Sequence, residues 1–189
     1  MHDVTAHPVQ SDAGSNQPAQ GSSQELGTVP LVAEQHATAD FASRSDRVQK
    51  FIRTDCWPLI ATNYTRVFVW PSPEGRSILG FYSLSSFSVE RNELNNRHQR
   101  KAPGGIPAPM ALIGYMGKSQ DAPPGFGGVL IADAAKRASL IKDVAMWGLC
   151  LHPENESLAT WYGKLGFTRA RSGALFMYAP FSALLEPKS

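Results

Sequence analysis

Two stretches of this 189-residue chain carry residue types and spacings that can do chemistry. In the first, the apolar run Met110-Ala-Leu-Ile-Gly-Tyr-Met116 leads through a polar turn into Gly125-Phe-Gly-Gly128. Glycines let a backbone approach a ligand closely, and the first N–H groups of a following helix have no acceptor within the helix. With the positive end of the helix dipole behind them such amides hold an anion, and a pyrophosphate is the natural guest. Taken alone, the pattern also fits a plain tight turn. The second stretch is Asn155-Glu-Ser-Leu-Ala-Thr-Trp-Tyr-Gly-Lys-Leu-Gly-Phe167. Asn155 can open a helix, Tyr162 follows seven residues later, and Gly166-Phe167 closes it. A tyrosine, with an ordinary pKa of about 10, holds a transferable proton at neutral pH. On an apolar helix face it can equally be a packed ring whose hydroxyl is satisfied.

The remaining reactive residues point elsewhere. Cys56 and Cys150 lie far apart in apolar surroundings with no CxxC or Cys/His cluster, so they read as core thiols, neither a disulfide nor a zinc site. Among the five histidines, His2 and His7 lie near the start, and His36, His98 and His152 stand singly, which suggests surface or structural roles and no metal.

The elements around these stretches follow from periodicity. Residues 1–26 are Gln, Ser, Ala, Gly and Pro with almost no large apolar side chain, and the expectation is a disordered tail over residues 1–28. One domain, residues 29–182, follows, with a short tail over 183–189. Val29 to Ala33 is a candidate strand. Ser45 can cap a helix with Val48, Phe51 and Ile52 inward and Pro58 as its end. Tyr64 to Trp70 and Ser77 to Val89, separated by turn residues, read as an antiparallel hairpin. Met110 to Met116 is a strand, Phe126 to Leu140 a helix with Val129, Leu130, Ala134 and Ala138 on one face, and Val144 to Leu151 a strand. Ser157 to Leu165 is a helix and Ala174 to Ala179 a last strand. This order implies an α/β (α+β) fold, a mixed sheet with helices on its faces. No stretch approaches the roughly 18 apolar residues of a membrane helix and no secretion signal opens the chain, so a soluble cytoplasmic protein is expected.

The formal charge of +2 conceals an asymmetry. Residues 1–36 contain Asp3, Asp12, Glu25 and Glu34 but no Lys or Arg, which leaves 12 acids against 18 bases, 18 − 12 = +6, in the remainder. Such a field favours anionic partners, CoA or nucleic acid, although many solvated surfaces carry as much.

The segment from Asn155 to Phe167 resembles the signature of the GNAT (Gcn5-related) N-acetyltransferases, with Tyr162 and Gly166-Phe167 where that family places them. The resemblance covers roughly residues 31–180. Within the family it is most like the toxins of toxin–antitoxin pairs that acetylate aminoacyl-tRNA, on Gly80-Phe-Tyr-Ser-Leu-Ser85, Pro109-Met-Ala-Leu-Ile-Gly114 and Trp161-Tyr162. What it implies is a mostly antiparallel sheet holding acetyl-CoA between two splayed parallel strands. Main-chain groups near Met116 and Lys118 would contact the pantetheine, Gly125, Phe126, Gly127 and Gly128 the phosphates, and Asn155 would lie near the cofactor arm. Tyr162 would give a proton to the departing thiolate. The acceptor would be the α-amine of aminoacyl-tRNA, with Arg91, Arg97, Arg100 and Lys101 holding RNA phosphates and Arg137, Arg169 and Arg171 as further candidates. An antitoxin and a homodimer are the implied protein partners. The phosphate segment departs from the family, since Ala122-Pro-Pro-Gly-Phe-Gly127 is one residue short and its two prolines have no N–H. A GNAT for a small amine or protein N-terminus, or a degenerate member that binds without catalysis, fits the same residues.

Overall fold

The computed structural model describes residues 27–186; of the disordered tail expected over residues 1–28, residues 1–26 lie outside the described residues, whereas Gly27 and Thr28 are ordered, their amides bonded to Asp133. Aromatic and β-branched side chains dominate the hairpin of β2 (Arg66–Pro71) and β3 (Ile78–Val89), and β1 (Val29–Pro30), shorter than expected, pairs with β2. Next come β4 (Ala108–Lys118), β5 (Gly148–Leu151), β6 (Thr168–Arg169) and β7 (Met177–Pro180). The sheet order is β1-β2-β3-β4-β5-β7-β6, and every pairing is antiparallel except β4 with β5. This is the expected mixed, mostly antiparallel sheet.

Alternation along the strands gives the sheet two apolar faces. On one, Val67, Val69, Ile78 and Phe81 meet Val48, Phe51, Ile52 and Cys56 of the first helical segment. On the other, Tyr82, Ala111, Ile113, Leu149 and Leu151 meet α4 (Phe126–Ser139), α5 (Glu156–Leu165) and α6 (Phe181–Leu185). Each large side chain buried this way contributes about 1.5–3 kcal/mol. On α4 the inward residues are Leu130, Ala134 and Ala138 with Ile131 and Ala135, whereas Val129, expected inward, is 43% exposed. Val129 sits past the edge of a stripe centred on Leu130 and Ala134.

The first helical segment corrects another expectation. Ser45 caps α1 (Asp46–Lys50) by accepting from the Val48 N–H, as its position suggested. Pro58 does not end the helix. A π-helical turn, Phe51–Asp55, precedes α2 (Cys56–Ala61), and Pro58 lies inside α2. The wider turn moves the preceding carbonyls away from the proline ring, which otherwise collides with the carbonyl four residues back. Between β3 and β4 the basic excursion contains α3 (Asn96–Lys101), capped by Asn95.

A buried polar cluster fixes α4 to the sheet. Asp133, 7% exposed, accepts hydrogen bonds from the Gly27 and Thr28 amides and from the Thr28 and Tyr82 hydroxyls. Arg137, one turn on, donates to the Tyr82 hydroxyl and the Thr28 carbonyl and lies over the Phe68 ring. The chain entering the domain is thereby tied to the helix that follows the glycine turn.

Candidate active site

Strands β4 and β5 pair only from Met110 with Gly148 to Ile113 with Leu151. There β5 ends while β4 continues to Lys118, and a cleft of about 1080 Å³ opens where the strands part. A β-bulge in β4 shapes it. Tyr82 faces Met116 and Leu84 faces Ile113, so Gly114 and Tyr115 together oppose Ser83. The Ser83 hydroxyl accepts from the Tyr115 N–H at 2.9 Å and satisfies the amide that the bulge takes out of the ladder. The extra residue also reverses the alternation. Ile113 and Met116 face α4, while Tyr115 faces α1 and stacks on Phe51, ring centroids 3.8 Å apart. The Arg47 guanidinium covers Tyr115, 5.2 Å from its centroid.

The cleft therefore has two walls, one on each face of the sheet. Met116, Lys118, Gly125 and Gly127 line it on the α4 side. Gly125 has φ +79°, a left-handed conformation that glycine adopts without strain, and it caps α4. A Cβ on Gly127 would lie 3.1 Å from the Trp161 ring, so the two sequence stretches pack directly on each other. Phe126 and Gly128 are placed differently. The Phe126 N–H donates to the Pro123 carbonyl and the Gly128 N–H to the Gly125 carbonyl, and the Phe126 ring is buried edge-on against Trp70. These two residues build the turn, and the Gly125 and Gly127 backbone faces the cleft. The Lys118 ammonium donates to the Ala122 carbonyl and straps the end of β4 to the proline segment. Asn155 lies outside the lining; its side chain accepts from the Leu158 N–H and starts α5, whose Ser157, Leu158, Trp161 and Tyr162 turn inward.

Tyr162 is 8% exposed, held edge-on between Trp161 at 4.8 Å and Phe167 at 5.6 Å. Burial, and after it the negative charge of Glu154, push its phenol up to about 12. The ring thus stays protonated throughout the physiological range, the state in which it can donate. Two of its surroundings, packing and access to the cleft, are met together.

Across the opening stand Ser43, Arg44, Ser45, Arg47 and Val48, with His152 and Glu154 leaving β5. The Ser45 hydroxyl donates to Glu154 at 3.4 Å, bridging the two segments. Reading the sequence missed this wall, because α1 carries no motif and its approach depends on Gly117, where a Cβ would meet Val48 at 2.4 Å. Arg91, Arg97, Arg100 and Lys101 are exposed at the other end of β4. The strand's length at about 3.3 Å per residue separates that end from the glycine turn by roughly 30 Å. Arg137 is engaged in the Asp133 cluster, and Arg169 pairs with Glu156. Among the described residues no group of three or more His, Cys, Asp and Glu could hold a metal ion. No helix among them is long and apolar enough to cross a membrane.

No family model matches the chain. A probable toxin TacT of Sinorhizobium fredii is 27% identical over 164 residues, covering 82% of this chain and 91% of the relative. Among solved structures, AtaT complexed with acetyl-methionyl-tRNAfMet superposes with a TM-score of 0.71 at 24% identity, covering 82% of this chain and 95% of AtaT. A Tyr-to-Phe variant of AtaT bound to the C-terminus of the antitoxin AtaR and acetyl-CoA gives 0.66 at 19%, covering 85% and 96%. The chain has the GNAT fold. The chain is similar to these toxins over 82–85% of its length, in keeping with the resemblance read in its sequence. In GNAT terms the parting of β4 and β5 is the splay of parallel strands expected for the cofactor, and the bulge at Gly114-Tyr115 sits at the point of parting.

Proposed function

We propose that this protein is a cytoplasmic GNAT toxin that transfers acetyl from acetyl-CoA to the α-amino group of aminoacyl-tRNA and so blocks translation, with an antitoxin as its protein partner. The observation that carries the reading is a protonated, buried Tyr162 in a cleft that joins a glycine turn on one face of the sheet to an arginine-bearing wall on the other. The relatives support the same assignment: AtaT has been captured with acetyl-methionyl-tRNAfMet, and in another structure with acetyl-CoA and AtaR.

The residues fit the co-substrate. The cleft volume of about 1080 Å³ accommodates a pantetheine arm alongside β4, where Met116 and Lys118 would contact it, and the exposed backbone at Gly125 and Gly127 would meet the pyrophosphate. Phe126 and Gly128 shape that turn, and Asn155 sets the start of the helix that presents Tyr162. Acetyl-CoA supplies an activated acyl thioester. An α-amine, with a reference pKa of about 7.7–8.0, is appreciably neutral at physiological pH and can attack it. Tyr162 then donates to the leaving sulfur, or holds a hydrogen bond to it as charge develops. Arg91, Arg97, Arg100 and Lys101 would hold the body of the RNA away from the reacting end.

The test offers charged tRNA and free amino acids side by side with acetyl-CoA. Acetyl transfer confined to charged tRNA is the expected result; transfer to the free amines alone would refute the toxin reading and leave a small-amine GNAT. A second reading, a degenerate GNAT that acts as a non-catalytic interaction module, is favoured by Pro123, Pro124 and the internal bonding of the Phe126 and Gly128 amides, which leave few donors for phosphate. Calorimetry at millimolar acetyl-CoA separates the two, because absence of heat and of any thermal shift would establish the silent module.

A further inference from the structure

The amine that attacks the thioester must shed a proton, and the α1 wall contains a group placed to take it. Along β5 the side chains alternate: Leu149 and Leu151 pack with α4, while Cys150 packs on the opposite face. His152 continues that alternation one residue past the strand and lands on the α1 face, its ring 4.7 Å from Phe176, a residue of the same apolar cluster as Cys150. It is exposed, lines the cleft, and makes no hydrogen bond to protein among the described residues. Tyr162 lines the same cleft from the α4 face. The two groups stand on opposite sides of the sheet, with the gap between β4 and β5 between them.

We propose that His152 is the general base of the acetyl transfer, a role that rests on the acetyltransferase reading above. The amine nitrogen attacks the thioester carbon on the α1 side, forming the C–N bond. His152 accepts a proton from that nitrogen. The carbon–sulfur bond breaks toward the α4 side, its electron pair goes to sulfur, and Tyr162 supplies the sulfur's proton. The imidazolium returns its proton to water and the phenol regains one, so the protein ends unchanged. The rings on which this rests are held by packing, His152 by Phe176 and Tyr162 by Trp161 and Phe167. The charged and titratable groups that line the cleft with His152 are Arg44 and Arg47 from the α1 segment, Tyr115 and Lys118 from β4, Tyr162 from α5, and Glu154 from its own loop.

The experiment compares full-length wild type, His152→Ala, His152→Asn and Tyr162→Phe with charged tRNA and acetyl-CoA. Loss of the base should lower kcat about 100-fold in both His152 variants, with unchanged Tm and unchanged acetyl-CoA affinity. Added imidazole should restore His152→Ala, whose truncation leaves room for it, and should not restore His152→Asn or Tyr162→Phe. On the acid side, log kcat/KM of wild type should fall with slope two, for amine and base together, and that of His152→Asn with slope one. Rates within about threefold of wild type, or a loss that imidazole does not rescue at unchanged Tm, would overturn the proposal while the acetyltransferase reading stands. An inactive wild type would instead overturn that reading and the base with it.

Discussion

Replacing Asp133 by Ala tests how the helix behind the glycine turn is held. Its carboxylate accepts from the Gly27 amide at 2.7 Å, the Thr28 hydroxyl at 2.5 Å and the Tyr82 hydroxyl at 2.6 Å, with the Thr28 amide at 3.3 Å. Burial, reinforced by this carboxylate, pushes the Tyr82 phenol far above its ordinary value, so Tyr82 is a permanent donor. Truncation leaves these donors facing a void and leaves Arg137 beside a cluster without its anion. Hydrogen bonds to a charged group contribute about 1.5–3 kcal/mol each but do not add, and removing one partner from a buried charged network costs about 3–5 kcal/mol. At about 2–4 °C per kcal/mol for a domain of this size, Tm should fall by roughly 6–20 °C. Asp133→Asn, which keeps the volume and one acceptor, should fall by less. Because α4 begins at Gly125 and Phe126, acetyl-CoA affinity measured below the lowered Tm should also weaken. Thermal melts followed by circular dichroism, with calorimetric titration at low temperature, give both numbers. A Tm change under about 2 °C would refute the reasoning and mean that water replaces the carboxylate without loss.

Three further outcomes follow from the site and its surroundings. Tyr162→Phe keeps the ring between Trp161 and Phe167 but removes the proton, so single-turnover rates should fall by about 100-fold or more while acetyl-CoA affinity holds; unchanged turnover would reduce Tyr162 to packing. The Tyr162 phenol is raised to about 12 and Tyr82 is raised as well, so both are neutral in the folded and unfolded chain below about pH 10, and their contribution to stability is complete there. Above that the unfolded phenols ionise first, so urea midpoints should decline from pH 10 toward 12, less steeply in Tyr162→Phe; a parallel decline in that variant would argue against the burial account. Replacing Arg97, Arg100 and Lys101 together by Ala should weaken RNA binding, lower the slope of log affinity against log salt, and leave acetyl-CoA binding intact, as filter binding over a salt series would show.

How far the site could be read in advance depended on whether a feature is local in the chain. The glycine turn, the Asn155 cap and the Gly166 closure are backbone events decided within a few residues, and they stand where the sequence suggested. The hairpin and β4 were legible because period-two apolar residues have one packing solution on a sheet with two buried faces. The short elements β6, α3 and α6 were not, since each is held by tertiary contacts: α3 by the Tyr178 hydroxyl, which accepts from the Asn95 N–H and meets the His98 ring. The α1 wall was hidden for a stronger reason. Which face Tyr115 takes depends on a bulge whose partner, Ser83, lies 32 residues earlier, and His152 enters the cleft only because β5 stops one residue before it. Asp133 did leave a trace, an acid among alanines on the inward stripe of α4, where periodicity calls for an apolar residue. A buried charge in that position requires partners from elsewhere in the fold. Thr28 and Tyr82 are those partners, so the helix that opens at the glycine turn is set in place by residues far from it in sequence, and the geometry of the turn depends on both.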